Sequence, residues 1–174
     1  MRTPLIAILA TCAIATQAFA KVSPISLEQL VQNSDLVVVA KVESVSDRMF
    51  GKRYAKAKVT DVWKGTPSDR VEFLASSTWT CDTSKAKTGE TALLFLTKGS
   101  QARAYAIAHS GRGRMPLRAV GGQSYAIFWT DLRLPKDTPT IDGPEPQWNF
   151  IRSVETATLR VLVKEALEKK QKVE

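Results

Sequence analysis

Gly111-Arg112-Gly113-Arg114 places two guanidinium groups between glycines. The chemistry such a run offers is anion binding. Glycines let backbone N–H groups approach a ligand, and arginine forks grip phosphate or carboxylate with two hydrogen bonds. It resembles a phosphate loop only superficially, because no Lys-Ser/Thr follows and no strand-to-helix junction surrounds it. The simpler reading is a solvated loop. The other reactive types are scarce. The chain has one histidine, His109, and two cysteines, Cys12 and Cys81. A Cys81–His109 dyad requires the two to meet in space, and a lone histidine is more often a surface or capping residue. No His-x-x-x-His, Cys-x-x-Cys or calcium-loop carboxylate spacing occurs. The reading is therefore non-catalytic, with no metal or cofactor.

Cationic charge is segregated along the chain. The formal net charge is +8. Residues 48–60 carry Arg48, Lys52, Arg53, Lys56 and Lys58 without an acid, and residues 91–130 carry Lys98, Arg103, Arg112, Arg114 and Arg118, again without one. The remainder after residue 20 is net negative. Anion-binding candidates are Lys52, Arg53, Lys56, Lys58, Arg103, Arg112, Arg114 and Arg118, with Tyr54, Tyr105 and Trp129 as possible stacking platforms.

The elements that must position these groups begin after a leader. "MRTPLIAILATCAIATQAFA" has a basic start, a short apolar run and Ala18-Phe19-Ala20 at the cleavage position, so it reads as a signal peptide over 1–20. The apolar run is short of the roughly 20 residues that span a bilayer, and Leu9-Ala10-Thr11-Cys12 is a poor lipobox. Export makes disulfides possible, yet Cys12 would leave with the leader and Cys81 would stand alone, most simply as a half-buried loop cysteine. No later stretch is long enough to cross a membrane. Residues 21–174 are one domain by length.

Ser26-Leu27-Glu28-Gln29 predicts a capping box opening a short helix to about Asn33. "LVVVAKVESVS" (36–46) predicts a strand buried on both faces at its start. "RYAKAKVTDVW" (53–63) alternates, with Ala55, Ala57 and Val59 against Lys56, Lys58 and Thr60. Its register slips near Asp61, which predicts a bulge. Lys64-Gly65-Thr66-Pro67 turns into "RVEFLA" (70–75), with Trp63 covering the barrel end. "TALLFLT" (91–97), "ARAYAIAHS" (102–110) and "YAIFW" (125–129) predict further strands, the last preceded by a basic loop punctuated by Gly111, Gly113, Pro116, Gly121 and Gly122. Residues 131–149 read as an extended Pro-rich connection. Residues 150–170 read as a docked helix with Phe150, Val154, Ala157, Val161 and Leu162 on its buried stripe. The fold expected is mainly β: a five- to six-stranded OB-type Greek-key barrel with a short N-terminal helix and a longer C-terminal helix.

Asp35 before a Val-rich strand, then "VTDVWKG" (59–65), a V-x-F strand, Cys81 and "GETALLFL" (89–96) resemble, in order and spacing, the netrin-like domain family that includes the tissue inhibitors of metalloproteinases. The resemblance covers roughly residues 22–108 and rests on the pairing of "VWKG" with "GE-x-x-LLFL". It implies an OB-type barrel with structural roles for Trp63, Gly65, Cys81 and Gly89. The inhibitors chelate zinc through an N-terminal cysteine. Here the mature start is Lys21-Val22-Ser23-Pro24, so that mechanism is not implied, and the N-terminal partner of Cys81 is missing too.

The function expected is an exported, periplasmic or secreted binding module whose basic surface takes an anionic envelope polymer, a lipid head group or an acidic protein. The compartment argues against nucleic acid. The alternative is a protein-interaction or protease-inhibitor-like module using an apolar groove or strand edge, with Trp79 or Trp148 exposed.

Overall fold

A computed structural model describes residues 22–47, 52–77, 82–99, 104–145, 147 and 149–171. The predicted leader, Arg48, Trp79, Cys81, Arg103 and Trp148 lie outside these residues.

Strand β1 (Ile25–Ser26) leads into helix α1 (Leu27–Gln32). The capping box forms as the sequence predicts: Gln29 N–H donates to Ser26 Oγ and Ser26 N–H to Gln29 Oε1, both at 3.1 Å. Leu27, Leu30 and Val31 are buried. Strands β2 (Leu36–Asp47), β3 (Arg53–Lys64), β4 (Arg70–Leu74), β5 (Thr91–Lys98) and β6 (Tyr105–Ile107) follow. They close in the order β2-β3-β4-β6-β5 and back to β2. Strand β6 lies parallel to β4 and antiparallel to β5. That insertion of the last strand between the third and fourth is the OB-type Greek key, and the barrel has five strands.

Beyond the barrel the sheet continues through β7 (Arg114–Val120), β8 (Gln123–Trp129), β11 (Ile151–Glu155) and β10 (Thr140–Asp142), while β9 (Leu132–Arg133) pairs with β1. Helix α2 (Thr156–Gln171) closes the chain. Two cores result. Leu36, Val38, Ala40, Ala55, Ala57, Val71, Phe73, Leu94 and Leu96 fill the barrel. Val37, Val39, Leu93 and Phe95 point outward from the same strands and are covered by α1, α2, β8 and β11. Because β2 and β5 bury both faces, their sequences run apolar without alternation.

Three expectations are corrected here. The basic stretch after Gly113 is strand β7, not loop; Pro116 sits in it opposite Ala92. Residues 131–149 contain β9 and β10 rather than only an extended connection. The helix starts at Thr156, because residues 151–155 pair with β8 from Ile151↔Trp129 to Glu155↔Tyr125. Its docked side is Leu159, Val163 and Ala166, whereas Val161 is 56% exposed and Phe150 41% exposed. Valine and phenylalanine at 150–154 satisfy a helical stripe and a strand alternation equally, and pairing with β8 decides between them.

The bulge near Asp61 takes the form of two register shifts, which leave Thr60 and Trp63 without a residue paired opposite them on β2. The second shift turns Trp63 away from the barrel interior. Its ring packs half-buried on the outer core, its Nε1–H donates to Asp61 Oδ2 at 2.9 Å, and Arg160 of α2 lies 5.9 Å above it. Trp63 therefore does not cap the barrel end. Trp63→Ala is expected to cost about 2 kcal/mol, less than the ~3–5 of a fully buried aromatic, read as a lower urea midpoint with unchanged m-value.

Candidate functional site

The turn after β6 arranges the GRGR run. His109, Ser110 and Gly111 have φ of 50°, 52° and 86°, three consecutive left-handed residues. Such conformations persist only where surrounding contacts over-determine them. Here Thr83 N–H donates to the Ser110 carbonyl at 3.2 Å and Gly113 N–H to the Ala108 carbonyl at 3.0 Å. The result turns both arginines inward.

Arg112 is only 7% exposed. Its Nε donates to Asp131 Oδ2 at 2.7 Å, its Nη1 to Thr83 Oγ1 at 3.3 Å, and its guanidinium lies 4.7 Å from the Trp129 ring centroid. Arg114 forms a fork on Glu90, Nε to Oε1 and Nη2 to Oε2, both at 2.7 Å, and Nη1 reaches the Thr83 carbonyl. Arg118 donates through Nη2 to the Asp142 carbonyl. Among the described candidates of this region, Arg112 and Arg114 are thus internal clasps and Arg118 is a partly exposed one, joining strands and loops; Arg103 lies outside the described residues. GRGR is neither a solvated loop nor an open anion cradle.

His109 Nε2 is 2.7 Å from the Ser23 carbonyl, which joins the β6 turn to the N-terminal segment. A dyad with Cys81 falls outside the described residues. Among the described residues no group of three or more His, Cys, Asp or Glu side chains is placed to hold a metal ion.

The described motif residues Lys64, Gly65 and Gly89 are accounted for by local structural contacts. Lys64 Nζ donates to the Val31 carbonyl at 2.8 Å and also to the Ser34 carbonyl, capping the open end of α1. Gly65 has φ +82°, and a Cβ there would sit 2.7 Å from the Asp35 carbonyl oxygen. Asp35 in turn accepts the Lys98 backbone N–H at 2.7 Å. Gly89 has φ +85° in the turn before β5, where its N–H donates to the Val42 carbonyl at 2.8 Å.

The other basic stretch keeps its charge outside. Lys56 and Lys58 alternate with buried Ala55 and Ala57 along β3, and Lys52 and Arg53 are exposed at its start. Lys58 stands directly opposite Lys41 on β2 and opposite Arg70 on β4. Arg70 is neutralised: its Nε donates to Glu43 Oε2 at 2.8 Å, a hydrogen bond that holds the Glu43 carboxyl below its usual range. Among the described residues Lys41, Lys56 and Lys58 form no ion pair. Lys41 was not evident from sequence, because it lies outside both acid-free stretches; the β2–β3 register brings it in.

Connectivity and surface together define a closed OB-type barrel with a cationic outer face on β2 and β3. The chain matches no protein-family model and no curated protein sequence.

Proposed function

We propose that this is an exported, netrin-like, non-catalytic binding module that takes an anionic partner on the outer face of β2 and β3. The partner is an envelope polymer, a lipid head group or an acidic protein. The observation carrying the reading is the pairing of Lys41 with Lys58. Like charges directly opposite one another on adjacent strands destabilise a sheet; the Glu43 carboxylate also acts on Lys58, but among the described residues neither lysine forms an ion pair like that of Arg70 with Glu43. Lys56 continues along β3, where it stands opposite Glu72 of β4, and exposed Lys52 lies just before that strand. The export reading rests on the form of residues 1–20, and the netrin-like reading on the order of "VWKG" and "GE-x-x-LLFL".

The lysine ammonium is a compact charge on a flexible stem, suited to a polyanion of loose geometry rather than one shaped ligand. Retention on immobilised heparin, used as a generic polyanion, should fall linearly in log affinity against log salt. Lys41→Ala with Lys58→Ala is expected to lower that slope by about 2, roughly one per contact removed. Because both side chains are exposed, the urea midpoint should not fall. An unchanged slope would remove the face from consideration.

A further inference from the structure

A cleft of about 410 Å³ opens between the N-terminal segment and the β8–β9 turn. Val22, Arg112, Trp129, Asp131, Arg133 and Phe150 line it. Its volume lies in the range of small-ligand clefts, about 300–1,000 Å³. None of the lysines of the proposed polyanion face takes part in it.

Its chemistry is of three kinds. The first is a flat aromatic wall: Trp129 and Phe150 stack with centroids 5.2 Å apart at 19°, and Phe150 remains 41% exposed. The second is a buried, rigid polar pair, Arg112 on Asp131, fixed by the strained 109–111 turn. Only one oxygen of that carboxylate is used by Arg112; Asp131 Oδ1 is buried without a hydrogen-bond partner. An acceptor left so is unfavourable, and a ligand hydroxyl that shifted the groups covering Oδ1 and donated to it would relieve that. The third is Arg133 on the rim, exposed and without an ion pair among the described residues.

The backbone around the cleft is already committed. Thr130 N–H donates to the Phe150 carbonyl at 2.9 Å, and the Asp131 carbonyl accepts from Ile25 N–H at 3.0 Å. A peptide strand adding by main-chain hydrogen bonds would find those groups taken. What remains is a planar aromatic wall, a planar carboxylate–guanidinium pair and one cation. These suit a ring with an apolar C–H face, hydroxyl donors at its edge and one negative group. We infer that the cleft is a second binding site, for a carboxylate-bearing saccharide, with its ring on Phe150, a hydroxyl on Asp131 Oδ1 and its carboxylate on Arg133.

The test uses a glucuronate-containing disaccharide and its neutral glucose counterpart, followed by saturation-transfer NMR and calorimetric titration. Arg112 and Asp131 are left intact, since breaking their pair threatens the fold. The unaltered protein is expected to bind the acidic probe more tightly than the neutral one. Phe150→Ala should weaken both about tenfold, and Arg133→Ala should abolish the difference between them. Lys41→Ala with Lys58→Ala should change neither titration, which separates this site from the polyanion face. No saturation transfer from either sugar at millimolar concentration overturns the assignment. So does binding untouched by Phe150→Ala, or an aromatic dipeptide that binds at the cleft where both sugars fail.

Discussion

Replacing Arg114 by alanine is expected to lower stability by about 3–5 kcal/mol, as is replacing Glu90, because either change strands one charge of a buried pair. The two side chains are 13% and 12% exposed and meet through two hydrogen bonds of 2.7 Å. Removing Arg114 also takes a donor from the Thr83 carbonyl. For a domain of this size, with about 5–15 kcal/mol in total, such a loss moves the urea midpoint far. Replacing both partners, Arg114→Met with Glu90→Leu, removes both desolvation costs at once and should be much milder than either single change. The discriminating quantity is the coupling energy from the double-mutant cycle. A cycle that closes additively would mean that the fork contributes nothing as a pair, and that Arg114 is held by packing of its stem alone.

The same pair shows why the sequence misleads about charge while informing well about strands. Residues 91–130 contain cations and no acid, which reads as an available basic surface. The window is bounded by Glu90 on one side and Asp131 on the other, and these two carboxylates are the partners of Arg114 and Arg112. Charge compensation acts across 24 and 19 positions of sequence, so no local count can find it. Residues 48–60 differ for a geometric reason. Lys56 and Lys58 share a strand with Ala55 and Ala57, and strict alternation sends the lysines outward wherever the alanines go inward. Outward placement was therefore legible there and not in the 109–114 turn, whose positive φ values no periodicity encodes.

The barrel was legible for a related reason. Uninterrupted apolar runs in β2 and β5 signal two buried faces, the capping box at Ser26 fixes the start of α1, and the slip at Asp61 marks the coil of β3. The outer sheet was hidden because residues 150–154 fit a helix as well as a strand. Only β8, itself recruited by β7, makes the strand the better partner. Lys64 lay in the same blind spot. A lysine between tryptophan and glycine looks like turn chemistry, yet its ammonium caps a helix some thirty residues earlier in the chain.

Gly111→Ala should be among the most damaging single substitutions in the chain, and Gly89→Ala is its control. Both glycines have nearly the same φ, +86° and +85°. An L-residue in that region costs about 1–2 kcal/mol from backbone strain alone. At Gly89 nothing lies within 4 Å of the added Cβ, so strain is the whole cost. At Gly111 the Cβ would stand 2.4 Å from Ser84 N and 2.6 Å from the Thr83 carbonyl carbon, both backbone atoms that no rotamer change can move aside. Overpacking of this kind adds roughly 1–3 kcal/mol, giving about 2–5 in all. The 82–84 segment must then shift, and with it the Thr83 groups that receive Arg112 and Arg114. Two urea unfolding curves decide the matter: equal midpoints for the two variants would mean that the Thr83–Ser84 backbone does not lie against the turn. A clear excess for Gly111→Ala would mean that the turn and this segment are locked together, holding the Arg112–Asp131 pair at the floor of the aromatic cleft.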